Sequence, residues 1–144
     1  MSNPITTAVE AAAEGKNVVL TTLPGIGSVS KTLAYLEAAG LSIAHLDLST
    51  VTLPDLGIFV FDGNDSLRKI LPNEILNADV LFFDGIESAA PETLKALTEV
   101  MTSRTLYGTP LPSVKSVVAV SIVLDMTYTR GLDSIENTVK VEVR

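Results

Sequence analysis

The stretch Asn17-Val-Val-Leu-Thr-Thr-Leu-Pro-Gly-Ile-Gly-Ser-Val-Ser-Lys-Thr32 decides how this chain is read. Asn17–Thr22 is a short β-branched run, the pattern of a strand buried on both faces. Leu23–Ser30 is a glycine-rich turn, and Lys31–Ala39 reads as a helix that stops at Gly40. A glycine turn between strand and helix can aim backbone N–H groups inward to hold phosphate. Within it, Gly25-Ile-Gly-Ser-Val-Ser-Lys-Thr32 matches the phosphate-loop template at the first glycine, the lysine and the threonine. Ser30 stands where the template has its second glycine. On this reading the loop backbone at Gly25, Gly27 and Ser30 cradles phosphates. Lys31 reaches the β- and γ-phosphates, and Thr32 ligates Mg²⁺. The competing reading is an ordinary strand-to-helix turn capped by Ser28 or Ser30.

Further along, Val80-Leu-Phe-Phe-Asp84 is an apolar run ending in a carboxylate. After a phosphate loop, an aspartate at a strand end fits the Mg²⁺-holding role. The residue that would polarise the attacking water normally follows it, and here that position is Gly85. Glu87 is the nearest carboxylate and the candidate general base, against the plainer reading of a solvated loop residue.

Around these two motifs, strands and helices alternate. Pro4–Glu14 reads as a helix with proline at its first position and Gly15 after it. Leu41–Leu48 reads as a strand, and Ile58–Phe61 is a short apolar run. Asp65–Leu76 reads as a mixed connector broken by Pro72. Pro91–Arg104 is the clearest helix, with Leu94, Leu97, Val100 and Met101 on one face and Glu92 at the positive end of the dipole. Tyr107–Pro112 reads as a turn or short hairpin. Ser116–Leu124 reads as a buried strand, Asp125–Ile135 as a loop or short helix, and Val139–Val143 as a final strand. Continuous apolar strands between amphipathic helices predict an α/β domain, with a mostly parallel sheet covered on both faces.

Composition narrows the chemistry. The 144 residues make one domain, residues 1–144, and 47% are hydrophobic, which excludes disorder. Mean hydropathy is +0.39. Without cysteine there is no disulfide, thiolate metal site or cysteine nucleophile, and a single histidine, His45, excludes a multi-histidine zinc site. The net charge of −7 and 10 scattered basic residues exclude bulk binding to nucleic-acid phosphate. No apolar run approaches the roughly 20 residues of a spanning helix. Met1–Gly15 has no basic start, so it does not read as a signal peptide. The expected compartment is the cytoplasm.

From Val18 onward the chain resembles the nucleotide-binding core of AAA+ ATPases, most nearly the MoxR-like branch. The resemblance is carried in order by Leu23–Thr32, Asp47–Gly57, Asn77–Ser88, Ala89–Arg104 and Thr105–Val120. It implies a P-loop fold that takes ATP or ADP with Mg²⁺ through Gly25, Gly27, Ser30, Lys31, Thr32 and Asp84. It also implies a protein partner or homo-oligomer, with no nucleic acid and no membrane. The departures are Ser30, Gly85, and Ser121 or Asp125 where the family has a polar sensor, normally asparagine. Arg130 is the arginine nearest the stretch that carries the family's arginine finger, Leu132–Val139 here. The helical lid domain that follows the family's core does not fit within 144 residues. Loss of an arginine finger alone removes ~10³–10⁵ in rate in related systems. The implied function is a degenerate AAA+-like domain that binds nucleotide and hydrolyses it poorly or not at all, as a subunit or modulator of an assembly. The alternative is an interaction protein that reuses the fold without nucleotide. A phospho-acceptor receiver domain with Asp84 as acceptor fits less well, because its acidic pair after the first strand is replaced by Thr21 and Thr22.

Overall fold

β-Branched and aromatic runs build one sheet whose every position is taken by a parallel neighbour. In the computed structural model, residues 3–23, 25–48, 58–61, 67–70, 73–106, 108–122 and 131–144 are described. The five-stranded sheet contains β1 (Asn17–Thr22), β2 (Ile43–Asp47), β5 (Val80–Asp84), β8 (Ser116–Ser121) and β9 (Thr138–Val143), in the order β2-β5-β8-β1-β9. Two small antiparallel hairpins lie outside it: β3 (Ile58–Phe61) with β4 (Leu67–Ile70), and β6 (Thr105–Leu106) with β7 (Thr109–Pro110). The helices are α1 (Pro4–Ala13), α2 (Ser28–Ala38), the single turn α3 (Asn73–Leu76) and α4 (Pro91–Ser103).

The side-chain alternation of the strands sorts the core into two layers. Val18, Leu20, Phe82, Val118 and Val120 face α1 and α2, where Ile5, Ala8 and Leu36 cover them. Val19, Leu81, Phe83, Val117 and Ala119 face α4, which covers them with Ala96, Leu97, Val100 and Met101. All six residues of β1 and of β8 are buried, as expected for central strands of a sheet covered on both sides.

Most element boundaries follow the sequence expectation within a residue or two. The difference that matters lies in the glycine turn. Leu23–Ser30 was expected to stay a turn, yet α2 begins at Ser28, three residues earlier than Lys31. Once Gly27 takes a left-handed φ of 76°, the Lys31 N–H closes a helical bond onto the Gly27 carbonyl at 3.0 Å. With Ser30 in place of a glycine, the helical conformation carries no extra backbone entropy at that position. The mixed connector also has more structure than expected, forming β4 and α3 on either side of Pro72. The buried strand Ser116–Leu124 ends at Ser121. Asp125, Arg130, Tyr107 and most of Asp47–Gly57 lie outside the described residues.

Strand order positions the functional end. From β1 the chain crosses by α2 to β2 on one side of the sheet. β9, which follows β8 in the chain, lies on the far side of β1, and Leu132, shortly before β9, is buried in the α4 layer on the other face. Outgoing connections that part on opposite faces leave a crevice at the carboxyl ends of the two strands between them. That crevice lies between β1 and β8, where Thr21 pairs with Ser121.

Candidate functional site at the carboxyl ends of β1 and β8

A cavity of about 380 Å³ occupies the crevice, lined by Thr22, Leu23, Gly25, Gly27, Ser28, Val29, Ser30 and Ile122. Its floor is the start of α2. Gly27 caps this helix without any side-chain hydrogen bond, and no acidic residue sits in its first turn. The first helical N–H groups therefore have no intrahelical acceptor and face the cavity side, together with the positive end of the helix dipole. Gly25 and Gly27 both hold left-handed φ values, 80° and 76°, which a residue with a Cβ adopts only under strain. These features make an anion-receptive pocket from backbone alone.

A hydroxyl pair anchors the pocket. Thr22 Oγ1 donates to Ser28 Oγ at 2.7 Å, joining the end of β1 to the start of α2. Both residues are buried, at 2% and 3% exposure. Thr22 precedes the phosphate-loop template, and Ser28 fills one of its unspecified positions. Their sequence signal is faint: a threonine closing the β-branched run and a serine just after the glycines.

The predicted site residues separate into groups. Gly25, Gly27 and Ser30 line the cavity. Lys31 does not. Its exposed side chain lines a neighbouring groove with Ile26, Tyr35 and Val143. Thr32 is 1% exposed, and its hydroxyl donates back to the Ser28 carbonyl at 2.7 Å within α2. Asp84 is half-buried at the end of β5, with Oδ2 3.6 Å from His45 Nε2 on the neighbouring edge strand β2. The His45 ring meets Phe82 edge-on at 5.3 Å between centroids. Glu87 sits in a 3₁₀ turn, Ile86–Ser88, and its buried Oε2 has no hydrogen-bond partner among the described residues. Thr21 Oγ1, buried on the α4 side of β1, is likewise unpartnered there. Among the described residues no hydrogen bond or ion pair links Lys31, Thr32, Asp84 and Glu87 to one another. Gly85 has φ 81°, so the position after Asp84, where the resemblance implies a glutamate, holds a left-handed backbone.

The donor chemistry fits phosphate through the uncapped start of α2. For Mg²⁺ the fitting group is the Asp84 carboxylate, a hard oxygen ligand of the kind that shares the ion with phosphates and waters. No group of three His, Asp or Glu side chains able to hold a metal occurs among the described residues. No helix among them is long and apolar enough to cross a membrane.

No protein-family model and no curated protein matches the sequence. Solved structures do match in fold. A candidate ATPase from Cytophaga hutchinsonii superposes with a TM-score of 0.61 at 13% identity, over 94% of this chain and 44% of that one. NtrX from Brucella abortus in complex with ATP gives 0.63 at 15% identity, over 97% of this chain and 34% of NtrX. A further NtrX structure gives 0.61 at 15% identity. This chain thus spans less than half the length of these structures. The parallel five-stranded sheet flanked by helices, with its glycine turn at the strand switch, has the fold of an AAA+ P-loop ATPase core.

Proposed function

We propose that the chain is an AAA+-like domain that binds ATP or ADP at the start of α2, hydrolyses it poorly or not at all, and acts as a subunit or modulator of an assembly. The observation that carries this reading is the uncapped α2 N-terminus opening onto the crevice beneath Gly25 and Gly27. Anions are drawn there by free N–H groups and the helix dipole, and no acidic residue is among the described residues that line the cavity. The ATP complex of NtrX, a fold neighbour, supports nucleotide as the class of anion.

The roles follow from placement. Gly25, Gly27 and Ser30 offer backbone to the phosphates. Lys31, on the second turn of α2, is exposed and free to swing from its groove toward them. Bound Mg²⁺ would neutralise phosphate charge, with Asp84 as its protein ligand and the Thr32 hydroxyl as a second oxygen once it leaves Ser28. Weak hydrolysis follows from the water-activating position. Gly85 has no side chain there, and Glu87 is held in the next turn with one oxygen buried.

Thermal unfolding with ATP, ADP and Mg²⁺, alongside a phosphate-release assay, tests the reading. A ligand that binds only the folded state adds about 2.7 kcal/mol of stability at a hundred times its Kd. The expected result is a stabilising shift with both nucleotides, abolished by Lys31→Ala, and little phosphate release. No shift at millimolar ATP overturns nucleotide binding and leaves an interaction protein built on the same fold. Rapid release by the isolated chain overturns the weak-hydrolysis claim.

A further inference from the structure

The large apolar side chains left exposed among the described residues gather at one end of the molecule. They are Leu23 at 41%, Ile26 at 40%, Tyr35 at 43% and Ile122 at 42%. Leu23 and Ile122 rim the crevice between β1 and β8. Ile26 and Tyr35 belong to a different opening, a groove of about 530 Å³ between the start of α1, the flank of α2 and the end of β9. Its apolar bed is Pro4, Ile5, Ile26, Tyr35 and Val143, and the charged side chains among its described residues are both cations, Lys31 and Arg144.

We propose that this groove is a docking surface for an acidic, apolar peptide segment of a partner protein. Charge is the first argument. In a chain of net charge −7, the charged side chains among the described lining residues are Lys31 and Arg144, a local excess of cation even with Glu142 paired to Arg144. Lys31 has no ion pair among the described residues, so its charge serves the groove whenever the side chain is not turned toward phosphate. Arg144 meets Glu142 through Nε at 2.9 Å and Nη2 at 2.8 Å, both on one carboxylate oxygen. The 10-residue helix α1 also begins at the groove, with no acidic residue in its first turn, and adds its positive end to the field.

Shape and surface supply the second argument. Single exposed apolar residues need no explanation, but an aromatic and an aliphatic side chain sharing one groove with free positive charge match the anchors of peptide-binding surfaces. An acidic segment with apolar residues between its carboxylates pairs with Lys31 and Arg144 while covering Ile26 and Tyr35. A basic segment is repelled. A nucleotide is the less favoured occupant, because the free N–H groups of α2 open onto the other cavity and draw the phosphates there.

Fluorescence anisotropy of the full chain with a fluorescein-labelled decapeptide of alternating Glu and Leu, against a Lys and Leu control, is the test. The acidic probe should bind, weaken as salt rises, and lose about tenfold in affinity with Tyr35→Ala and with Arg144→Glu. ATP-induced thermal shifts should be unchanged in both variants. Equal binding of the two probes, no binding, or indifference to both substitutions overturns the docking surface. Displacement of the probe by ATP, with Tyr35→Ala weakening ATP as well, assigns the groove to the nucleotide and overturns it too. Loss of ATP binding with the peptide still bound counts against the nucleotide reading alone, so the two claims fail separately.

Discussion

The Thr22 hydroxyl donates to the Ser28 hydroxyl across the glycine turn, 2.7 Å apart, and both ends are buried. This bond ties the last residue of β1 to the first residue of α2, so it sets the angle at which the helix meets the crevice. Removing Thr22 Oγ1 takes away the donor to Ser28, and removing Ser28 Oγ leaves the Thr22 hydroxyl only the longer bond to the Leu23 carbonyl at 3.2 Å. Ser28→Ala and Thr22→Val should each lower stability by about 1–2 kcal/mol, and the double variant by less than the sum. Urea unfolding of the four proteins in the cycle measures the coupling. Additive losses would mean that the hydroxyls act independently.

Gly85→Glu places a carboxylate where a water-activating residue would stand on the proposed reading, yet phosphate release should not rise. The backbone there has φ 81°, and forcing an L residue into it costs about 1 kcal/mol or more. The expected outcome is a less stable protein with unchanged phosphate release. A rise in turnover would show that the turn re-forms around the new side chain.

Arg104 ends α4 with φ 55° and folds its guanidinium back over four carbonyls. Nη1 reaches Val100 O at 3.1 Å and Met101 O at 3.3 Å, and Nη2 reaches Gly15 O at 3.4 Å and Lys115 O at 3.3 Å. Burial lowers its pKa from the usual arginine value. One side chain thus stitches the end of a helix to the turn before β1 and the turn before β8. Arg104→Ala should destabilise by about 2 kcal/mol, and Arg104→Lys should rescue little, because an ammonium cannot fork to so many acceptors. Melting temperatures of the three proteins decide this.

Asp79 accepts from the Ser42 N–H at 3.0 Å, and its own N–H donates to Ser42 Oγ at 3.0 Å. The backbone bond from Ser42 holds its carboxyl below the ordinary value, against a smaller opposing effect of desolvation. A carboxylate with a depressed folded pKa stabilises the fold above its unfolded pKa, and this is lost as pH falls through the folded value. Asp79→Asn should therefore cost most near neutral pH and nothing once the wild-type carboxylate is protonated, well below pH ~3.9. Chemical denaturation of both proteins across that range reads the difference. Curves that stay parallel down to the lowest pH would remove the carboxylate's role.

Much of the sheet was readable because its strands are unambiguous. NVVLTT, VLFFD and SVVAVS contain runs too apolar for loops and too short for buried helices, and all three are strands of the central sheet. Pro4 and Pro91 marked helix starts because proline fits the first turn and nothing deeper. Strand order was not readable, since β1 draws its neighbours from positions about a hundred residues away, and no local pattern encodes that. At the site, Gly25, Gly27 and Ser30 were visible as a motif. Where Lys31 and Thr32 point was not, because one added turn of helix rotates both away from the loop. That turn depends on the left-handed Gly27, a backbone choice that the letter G permits but does not require.

The neighbours of β1 set a timetable for synthesis. β1 pairs in register only with β8 and β9, so Val18 finds its partners in Val118 and Val139. A chain emerging from the ribosome carries β1 and the glycine turn long before either flank of β1 exists. Closing loops of that length is slow, and the apolar strand stays uncovered meanwhile. The crevice between β1 and β8 therefore closes only after β8, about a hundred residues downstream of β1, has been made and has paired with it.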